Sequence, residues 1–326
     1  MPANLPPQYF EAEKRFRVAK SVEDKVMALE EMLAIMPKHK GTDHLKAELR
    51  HRIAKLTQEA EKKSGTKRSS LLIEKEGAAQ VAVIGMPNAG KSQLVAGITN
   101  ASSPVAEYPF TTCTAIPGMM EFENIQIQLI DTPPFGEQPV EWWLRHLIIR
   151  ADALLLVIDL AGNPLAQVEK ITEHLTQMRV GIGNPKPVYG EDIILSYKKA
   201  LIVGNKIDQD GTGNAYLRLK KRYSGELPVT SISAKMGTSL EELRHEVYRM
   251  LDIIRVYTKA PGQKPEMNDP IVLEKGSTLA DAAESVHKDF RTQLKYARIW
   301  GSGKHDGVMA KRNHVLQDGD VIELHL

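Results

Sequence analysis

Cysteine is almost missing from this sequence. Cys113 is the single one in 326 residues, which excludes an internal disulfide framework and any multi-cysteine zinc site. Long apolar runs are missing too. The longest, Ala153 to Ala161, is interrupted by Asp159 and falls far short of the ~20 residues that cross a bilayer, so no membrane partner is expected. The N-terminal stretch MPANLPPQYFEAEKRF has no apolar segment behind a basic cluster, so no secretory leader is expected and the expected location is cytoplasmic. Nor does one charge dominate. Lys and Arg number 43 against 41 Asp and Glu, and any case for nucleic acid has to come from local clusters. No internal repeat or low-complexity segment is visible. What is present, 42% hydrophobic and 26% charged residues, is the composition of a globular chain, and the length suits two or three domains.

Up to about residue 66 the spacing reads as helical. Val22, Val26, Leu29, Leu33 and Met36 recur at intervals of three and four, as one buried helix face requires. PKHKGT at 37–42 breaks the pattern, with Pro37 to stop one helix and Thr42 to cap the next. Leu45, Leu49, Ile53 and Leu56 then resume it, so a helical hairpin is expected. Lys46, Arg50, Arg52, Lys55, Lys62 and Lys63 fill the opposite face, a pattern shared by solvated faces and faces that meet RNA. KKSGTKRSS at 62–70 reads as a linker. From about 71 to 257, strand-like stretches alternate with helix-like ones. VAVIG (81–85), IQIQLID (125–131), ALLLVIDL (153–160), ALIVGNK (200–206) and PVTSIS (228–233) have the composition of strands buried between helical layers. Residues 181–199 read as an irregular excursion and PGQKPEMNDP (261–270) as a second linker. The remainder reads as a small α+β module with a helix near Leu279–Phe290 and a turn at QDGD (317–320).

GMPNAGKS at 85–92 fits the phosphate-loop pattern G-x-x-x-x-G-K-[ST]. VAVI enters it as a strand and QLVAGIT leaves it as a helix, so consecutive backbone N–H groups and the helix dipole face one anion. Gly85 and Gly90 permit the close approach, Lys91 reaches the β- and γ-phosphates, and the Ser92 hydroxyl binds Mg²⁺. NKID (205–208) directly follows the apolar strand ALIV. The Asp208 carboxylate is able to accept paired hydrogen bonds from the N1–H and exocyclic amine of guanine, a donor pair that adenine lacks. Asn205 and Lys206 are expected to buttress that loop and stack on the base. Ser233, Ala234 and Lys235 follow the next strand and are expected to bring the Ala234 N–H to the guanine carbonyl. DTPP (131–134) ends a further strand, where Asp131 suits a metal-bound water. Between it and the phosphate loop lies YPFTTCT (108–114), where a threonine completes the Mg²⁺ shell.

GMPNAGKS, YPFTT, DTPP, NKID and SAK follow one another in the order of the five guanine-nucleotide motifs of the translation-factor class of P-loop GTPases. YPFTT together with Asn88 resembles the Obg-like GTPases, and within them the DRG (developmentally regulated GTP-binding protein) branch. KHKGTDHLKAELRHRIAKL resembles that branch's helical lead-in. IVLEKGSTLADAAESVHKDF, KYARIWG and HVLQDGDVIELHL are similar to a TGS domain, a β-grasp fold. The expected fold is an α/β P-loop GTPase core at 71–258 with an N-terminal helical hairpin at 1–66 and a C-terminal β-grasp (TGS) domain at 267–326. The resemblance implies a slow GTP hydrolase that acts as a molecular switch on GTP and GDP, associated with ribosomes or translation. Ribosome, rRNA or tRNA would be met through the helical hairpin and the TGS domain. It places the nucleotide against Gly85, Met86, Pro87, Asn88, Ala89, Gly90, Lys91 and Ser92, then Phe110, Thr111 and Thr112, then Asp131, Asn205, Lys206, Asp208, Ser233, Ala234 and Lys235. Mg²⁺ falls to Ser92, Thr112 and, through water, Asp131, while catalytic roles fall to Lys91 and Thr112. Asn88 matches the asparagine that holds K⁺ in potassium-stimulated relatives, where a monovalent cation offsets transition-state charge.

Two departures stand against the family pattern. The third motif is normally D-x-P-G, whose glycine N–H meets the γ-phosphate. Here Pro134 occupies that position and has no N–H to donate. Phe135 follows where some GTPases carry a water-orienting glutamine, and a hydrophobic residue there is what Obg-like members show. The 161–200 stretch is too short for the domain that DRG proteins insert in the core. Cys113 reads as a small packing residue, His146, His174 and His245 as surface or packing histidines, and Trp142 and Trp143 as core or partner anchors. Arg291, Lys295, Arg298, Lys304, Lys311 and Arg312 cluster with Phe290, Tyr296 and Trp300, which fits RNA contact and equally fits a core with a solvated rim. The rival reading is a guanine-nucleotide-binding RNA or ribosome scaffold with little intrinsic turnover, its switch blunted by Pro134. A lesser rival, an ATPase, is disfavoured by Asp208.

Overall fold

The computed structural model describes residues 7–19, 22–36, 43–63, 73–99, 106–107, 114–136, 142–184, 196–302 and 307–325. The N-terminal part is helical, with α1 (Pro7–Val18), α2 (Val22–Ile35) and α3 (Asp43–Lys63). The last two stand where the apolar spacing places them, and α1 adds a member to the expected hairpin. Leu29 and Met36 of the α2 stripe and Leu49 of α3 are buried together with Tyr9 and Ala12 of α1. Glu31, on α2, is only 8% exposed. It pairs with Arg15 of α1 at 2.8 Å and with Arg179, which joins the helical bundle to the central domain.

The central domain is built from β1 (Ala79–Gly85), α4 (Lys91–Ile98), β2 (Ala106–Glu107), β3 (Thr114–Phe122), β4 (Ile125–Asp131), α5 (Trp142–Arg150), β5 (Ala153–Asp159), α6 (Pro164–Gln177), β6 (Val180–Ile182), β7 (Ser196–Asn205), α7 (Thr212–Tyr223), β8 (Val229–Ser231) and α8 (Leu240–Leu251). Among the described residues its sheet runs β2-β3-β4-β1-β5-β7-β6, with β8 also on β7. β4, β1, β5, β7, β6 and β8 are mutually parallel, and β3 is antiparallel to β4. Alternate residues face opposite layers. Ala82, Ile84, Leu154 and Leu156 pack with α5, α6 and α7, whereas Val81, Val83, Leu155 and Val157 pack with α4 and α8. Burial on both faces is why these strands read as continuous apolar runs. β3 escaped the sequence reading because it holds Pro117. Among the described residues β2 pairs with Thr114 and Ala115, and Pro117 has its ladder partner in Ile130 of β4.

The second sheet, among the described residues, runs β10-β9-β13-β11-β12, formed by β9 (Ile253–Thr258), β10 (Ile271–Glu274), β11 (Tyr296–Trp300), β12 (Val308–Ala310) and β13 (Asp320–His325), with α9 (Leu279–Val286) packed on it. The boundary expected at 258 therefore shifts. β9 pairs with β10 and β13 and belongs to this C-terminal sheet.

Arg255 of β9 locks the two sheets together. Its guanidinium meets Asp318 at 2.8 and 3.1 Å, Glu123 at the β3–β4 turn, and Asn124 at 3.3 Å. It lies 5.2 Å from the Tyr248 ring centre on α8, and Tyr248 Oη donates to Asp318 at 2.8 Å. Asn124 Nδ2 donates to the Tyr257 hydroxyl and to the Met267 carbonyl, at 2.7 and 2.9 Å. The Arg255 side chain is 10% exposed, and truncation removes its charged hydrogen bonds to Asp318 and Glu123, leaving Asp318, among the described residues, with the Tyr248 hydroxyl and the Arg255 N–H alone. Arg255→Ala is expected to cost about 2–3 kcal/mol, the scale of charged hydrogen bonds. Limited proteolysis should then cut the 259–270 segment faster than in the unaltered protein.

Candidate nucleotide-binding site

The carboxyl ends of parallel strands are where open α/β sheets bind ligands, and the motifs converge there. β1 runs into the phosphate loop, β4 ends on Asp131, β5 ends on Asp159, β7 ends on Asn205, and β8 is followed by Ser233. Gly90 caps α4 in the left-handed region, φ 88°, and no side chain caps that helix. The first-turn N–H groups are thus left to an incoming acceptor. A Cβ on Gly90 would sit 2.3 Å from Asn205 Nδ2, and one on Gly85 would sit 2.5 Å from the Val157 carbonyl oxygen. Met86 is half-buried, Pro87 and Asn88 are exposed and Ala89 is buried.

Lys91 is 7% exposed and its Nζ donates to the carbonyls of Gly85 and Met86 at 3.2 and 3.3 Å. Burial lowers its pKa, partly offset by the Asp131 carboxylate. Ser92 Oγ donates to Asp131 Oδ2 at 2.5 Å. The other carboxylate oxygen, Oδ1, is buried without a hydrogen-bond partner among the described residues. Burial accordingly pushes the Asp131 carboxyl up, against the opposing pull of Ser92 and Lys91.

The turn after β4 closes on the phosphate loop. Thr132 Oγ1 donates to the Val83 carbonyl at 2.8 Å, and the Phe135 N–H donates to the Gly85 carbonyl at 3.1 Å. Pro134 is exposed. The Phe135 ring is buried, 5.7 Å from the His174 ring of α6. Phe110, Thr111, Thr112 and Cys113, all expected in the first switch, lie outside the described residues.

Asn205 joins the loops. It is 1% exposed, its Nδ2 donates to the Ala89 carbonyl at 2.9 Å, and its Oδ1 accepts from the N–H groups of Lys206 and Ala234 at 2.8 and 3.0 Å. One amide thereby ties the phosphate loop to the loops that follow β7 and β8. The Ala234 N–H, expected at the guanine carbonyl, is instead donated to Asn205. Asp208 is exposed, and a hydrogen bond from the Ser233 hydroxyl holds its pKa below the ordinary carboxylate value. Lys206 has φ 69°, and its Nζ meets Asp159 Oδ2 at 2.6 Å. Lys235 is exposed. Asn205→Ala leaves three buried backbone groups to find new partners. It is expected to cost about 2–3 kcal/mol, measurable by urea unfolding, and to weaken nucleotide binding.

Asp159 entered the sequence reading only as the break in an apolar run. A carboxylate at the site end of a buried strand was the available signal. In the C-terminal domain the basic cluster is divided. Arg291 pairs with Asp281 and Glu284, and Arg312 donates to the carbonyls of Leu294 and Thr292. Arg298 and Lys311 are exposed, Trp300 lies 4.0 Å from Lys259 Nζ, and Lys304 is outside the described residues. His245 packs edge-on against Phe122 at 5.1 Å.

Comparison with known proteins agrees with this arrangement. Residues 80–196 match the family model described as 50S ribosome-binding GTPase, and residues 254–326 match the TGS domain. The yeast YchF GTPase of Schizosaccharomyces pombe superposes with a TM-score of 0.54 over 77% of this chain and 99% of its own. At 13% identity it shows the shared fold alone. Fold and site together define a P-loop GTPase-fold protein carrying a C-terminal TGS domain.

Within that class the chain resembles, over most of its length, the developmentally regulated GTP-binding proteins, and its GTPase domain is that of a GTP-binding protein. It is 27% identical to developmentally-regulated GTP-binding protein 2 of Homo sapiens, over 92% of this chain and 98% of that one. It is 28% identical to GTP-binding protein 1 of Schizosaccharomyces pombe, over 92% and 98%, and 28% identical to an uncharacterized GTP-binding protein of Methanocaldococcus jannaschii, over 93% and 92%. The aligned spans of 359 to 363 residues exceed the 326 of this chain, so the relatives carry segments that it lacks. No helix among the described residues is long and apolar enough to cross a membrane.

Proposed function

We propose that this protein hydrolyses GTP to GDP and phosphate with slow intrinsic turnover, as a molecular switch whose helical bundle and TGS domain meet a ribosomal or RNA partner. The observation that carries the proposal is the Asn205 amide, which makes the phosphate loop and the base-reading loops one unit. On GTP binding, Lys91 exchanges the Gly85 and Met86 carbonyls for β- and γ-phosphate oxygens. The uncapped first turn of α4 supplies backbone N–H groups to the same phosphates. Asp208 accepts from the two guanine donors, with Ser233 orienting its carboxylate.

The donor set fits a hard divalent cation. The Ser92 hydroxyl and a buried carboxylate with an unpaired oxygen stand side by side, and such oxygens are what Mg²⁺ takes. Ser92, Thr112 and, through water, Asp131 would hold it, and when bound it neutralises charge on the phosphate oxygens. Asn88, exposed at φ 60° on the phosphate loop, offers an amide oxygen suited to K⁺. Lys91 stabilises the charge that develops as the terminal phosphoryl group leaves, and Thr112 shares that role. No general base is assigned. Exposed Arg50, Arg52 and Lys55 on α3, with Arg298 and Lys311 in the TGS domain, supply phosphate-binding charge for rRNA or tRNA. Co-sedimentation with ribosomal particles in the GTP state tests that part.

The test of the reaction is phosphate release from GTP by the purified protein in KCl and in NaCl at equal ionic strength. Faster release in KCl is expected. Tight binding without turnover in either salt points to the nucleotide-binding scaffold. That second reading draws on one observation, the donation of the Phe135 N–H to Gly85 beside a proline that has none. If the scaffold reading holds, Pro134→Gly raises hydrolysis strongly; as a switch with slow turnover, the protein should show little change.

A further inference from the structure

We infer that Asp159 is a positioning residue for guanine-nucleotide binding, acting by holding the Lys206 side chain beside the base-reading carboxylate of Asp208. The inference rests on the nucleotide reading above and names a residue outside its motifs. Asp159 is the last residue of β5 and stands level with Asn205 in β7. Its two carboxylate oxygens have separate tasks. Oδ1 accepts from the Ala161 N–H at 2.9 Å, and Oδ2 takes Lys206 Nζ at 2.6 Å.

Asp159 is itself clamped. Gln167 of α6 accepts from the Asp159 N–H through Oε1 and donates to the Asp159 carbonyl through Nε2, both at 2.9 Å. The following N–H, that of Leu160, donates to the Asn205 carbonyl at 3.1 Å. A rigid helix and a rigid strand therefore place the carboxylate, and the carboxylate places the lysine.

Lys206 needs such a partner. Its backbone sits at φ 69°, which turns the side chain away from the strand direction, and its stem has four rotatable bonds. Loose, that cation would spread over solvent and the phosphates. Held at Asp159, its methylenes form a fixed ledge next to Asp208. The pair is partly exposed, at 27% for Lys206 and 22% for Asp159, and a pair of that kind adds little to folding stability. Its consequence should appear in binding.

The experiment uses the full-length protein and fluorescent N-methylanthraniloyl GDP, with GTP as competitor. Asp159→Asn keeps an acceptor for the Ala161 N–H and removes the charge. Its Kd for GDP and for GTP should rise by the same factor, about five- to tenfold. KM should rise with it, while kcat at saturating GTP and the Tm of the nucleotide-free protein stay within about twofold and about 2 °C. Lys206→Met keeps an apolar stem without the ammonium, and on that background Asp159→Asn should add nothing. An equal rise on both backgrounds, an unchanged Kd, or a loss confined to kcat overturns the proposal. Should Asp159→Asn fail to fold, Gln167→Met, which frees the Asp159 backbone, must show the same Kd rise and the same dependence on Lys206. No binding of the GDP probe by the unaltered protein would sink the nucleotide reading itself, and this proposal with it. A Kd that responds only to Asp159 in the presence of Lys206 supports both.

Discussion

Asp208→Asn should lower the affinity for GTP by about two to three orders of magnitude and improve binding of xanthosine triphosphate. A carboxylate offers two acceptors to the adjacent guanine donors. An amide offers one acceptor and sets its own N–H against the exocyclic amine, so a bond is lost and a donor clash is made. Sites built to read such groups discriminate by factors of this size or more. Xanthine carries a carbonyl where guanine carries the amine, and the new amide can donate to it. The Ser233 hydroxyl bonds to this carboxylate and lowers its pKa further below the range in which an aspartate is already ionised. Competition of the two triphosphates against labelled GDP measures the effect. Equal loss for both would mean that Asp208 shapes the loop without reading the base.

Asp131→Asn should separate stability from activity. Asp131 is a buried carboxylate with one oxygen unpaired among the described residues, and its pKa is raised chiefly by burial. A carboxyl raised on folding favours the protonated folded state. The stability it contributes is full below its unfolded pKa of about 3.9 and is lost as pH rises through the folded value. At pH 7 the ionised group is therefore a cost to the empty protein. The amide removes that cost, and the Tm in EDTA at pH 7 should rise by about 2–4 °C, the equivalent of roughly 1 kcal/mol for a domain of this size. Phosphate release should fall by about a hundredfold or more, since the carboxylate that would hold the metal-bound water is gone. Mg²⁺ with GDP should stabilise the unaltered protein more than the variant. A lower Tm in EDTA would show that Asp131 supports the fold through Ser92 alone.

The strain at Asp131 has a counterpart at Lys91. Its ammonium is buried against two neutral carbonyls, and burial lowers its pKa. Both groups are charged, desolvated and incompletely compensated within a hydrogen bond of the phosphate loop. Buried charge of that kind is costly to folding and marks the place where a charged ligand completes the structure.

Much of the site was legible along the chain because its chemistry is contiguous. The left-handed backbone at Gly90 and its approach to Asn205 allow only glycine there, so GMPNAGKS shows itself as a string of residue types. The strands after which the motifs fall were legible for a related reason, since a strand buried on both faces must be apolar throughout. The helical stripes of α2 and α3 followed from the 3.6-residue period.

What the sequence could not determine is pairing between residues far apart along it. β9 looks like the last strand of the GTPase domain and belongs to the TGS sheet, because sheet membership is decided by which edges meet. Pro117 argues against a strand until its register partner Ile130 on β4 is known. Asn205 reads as part of one loop and proves to bind three. Asp159 reads as a flaw in an apolar run, and Arg255 as one basic residue among many. Each acquires its role from a partner some 47 to 132 residues away. Local residue types determine where phosphate and base chemistry stand, whereas hydrogen bonds and ion pairs act through space, and only the tertiary fold decides which of them can form.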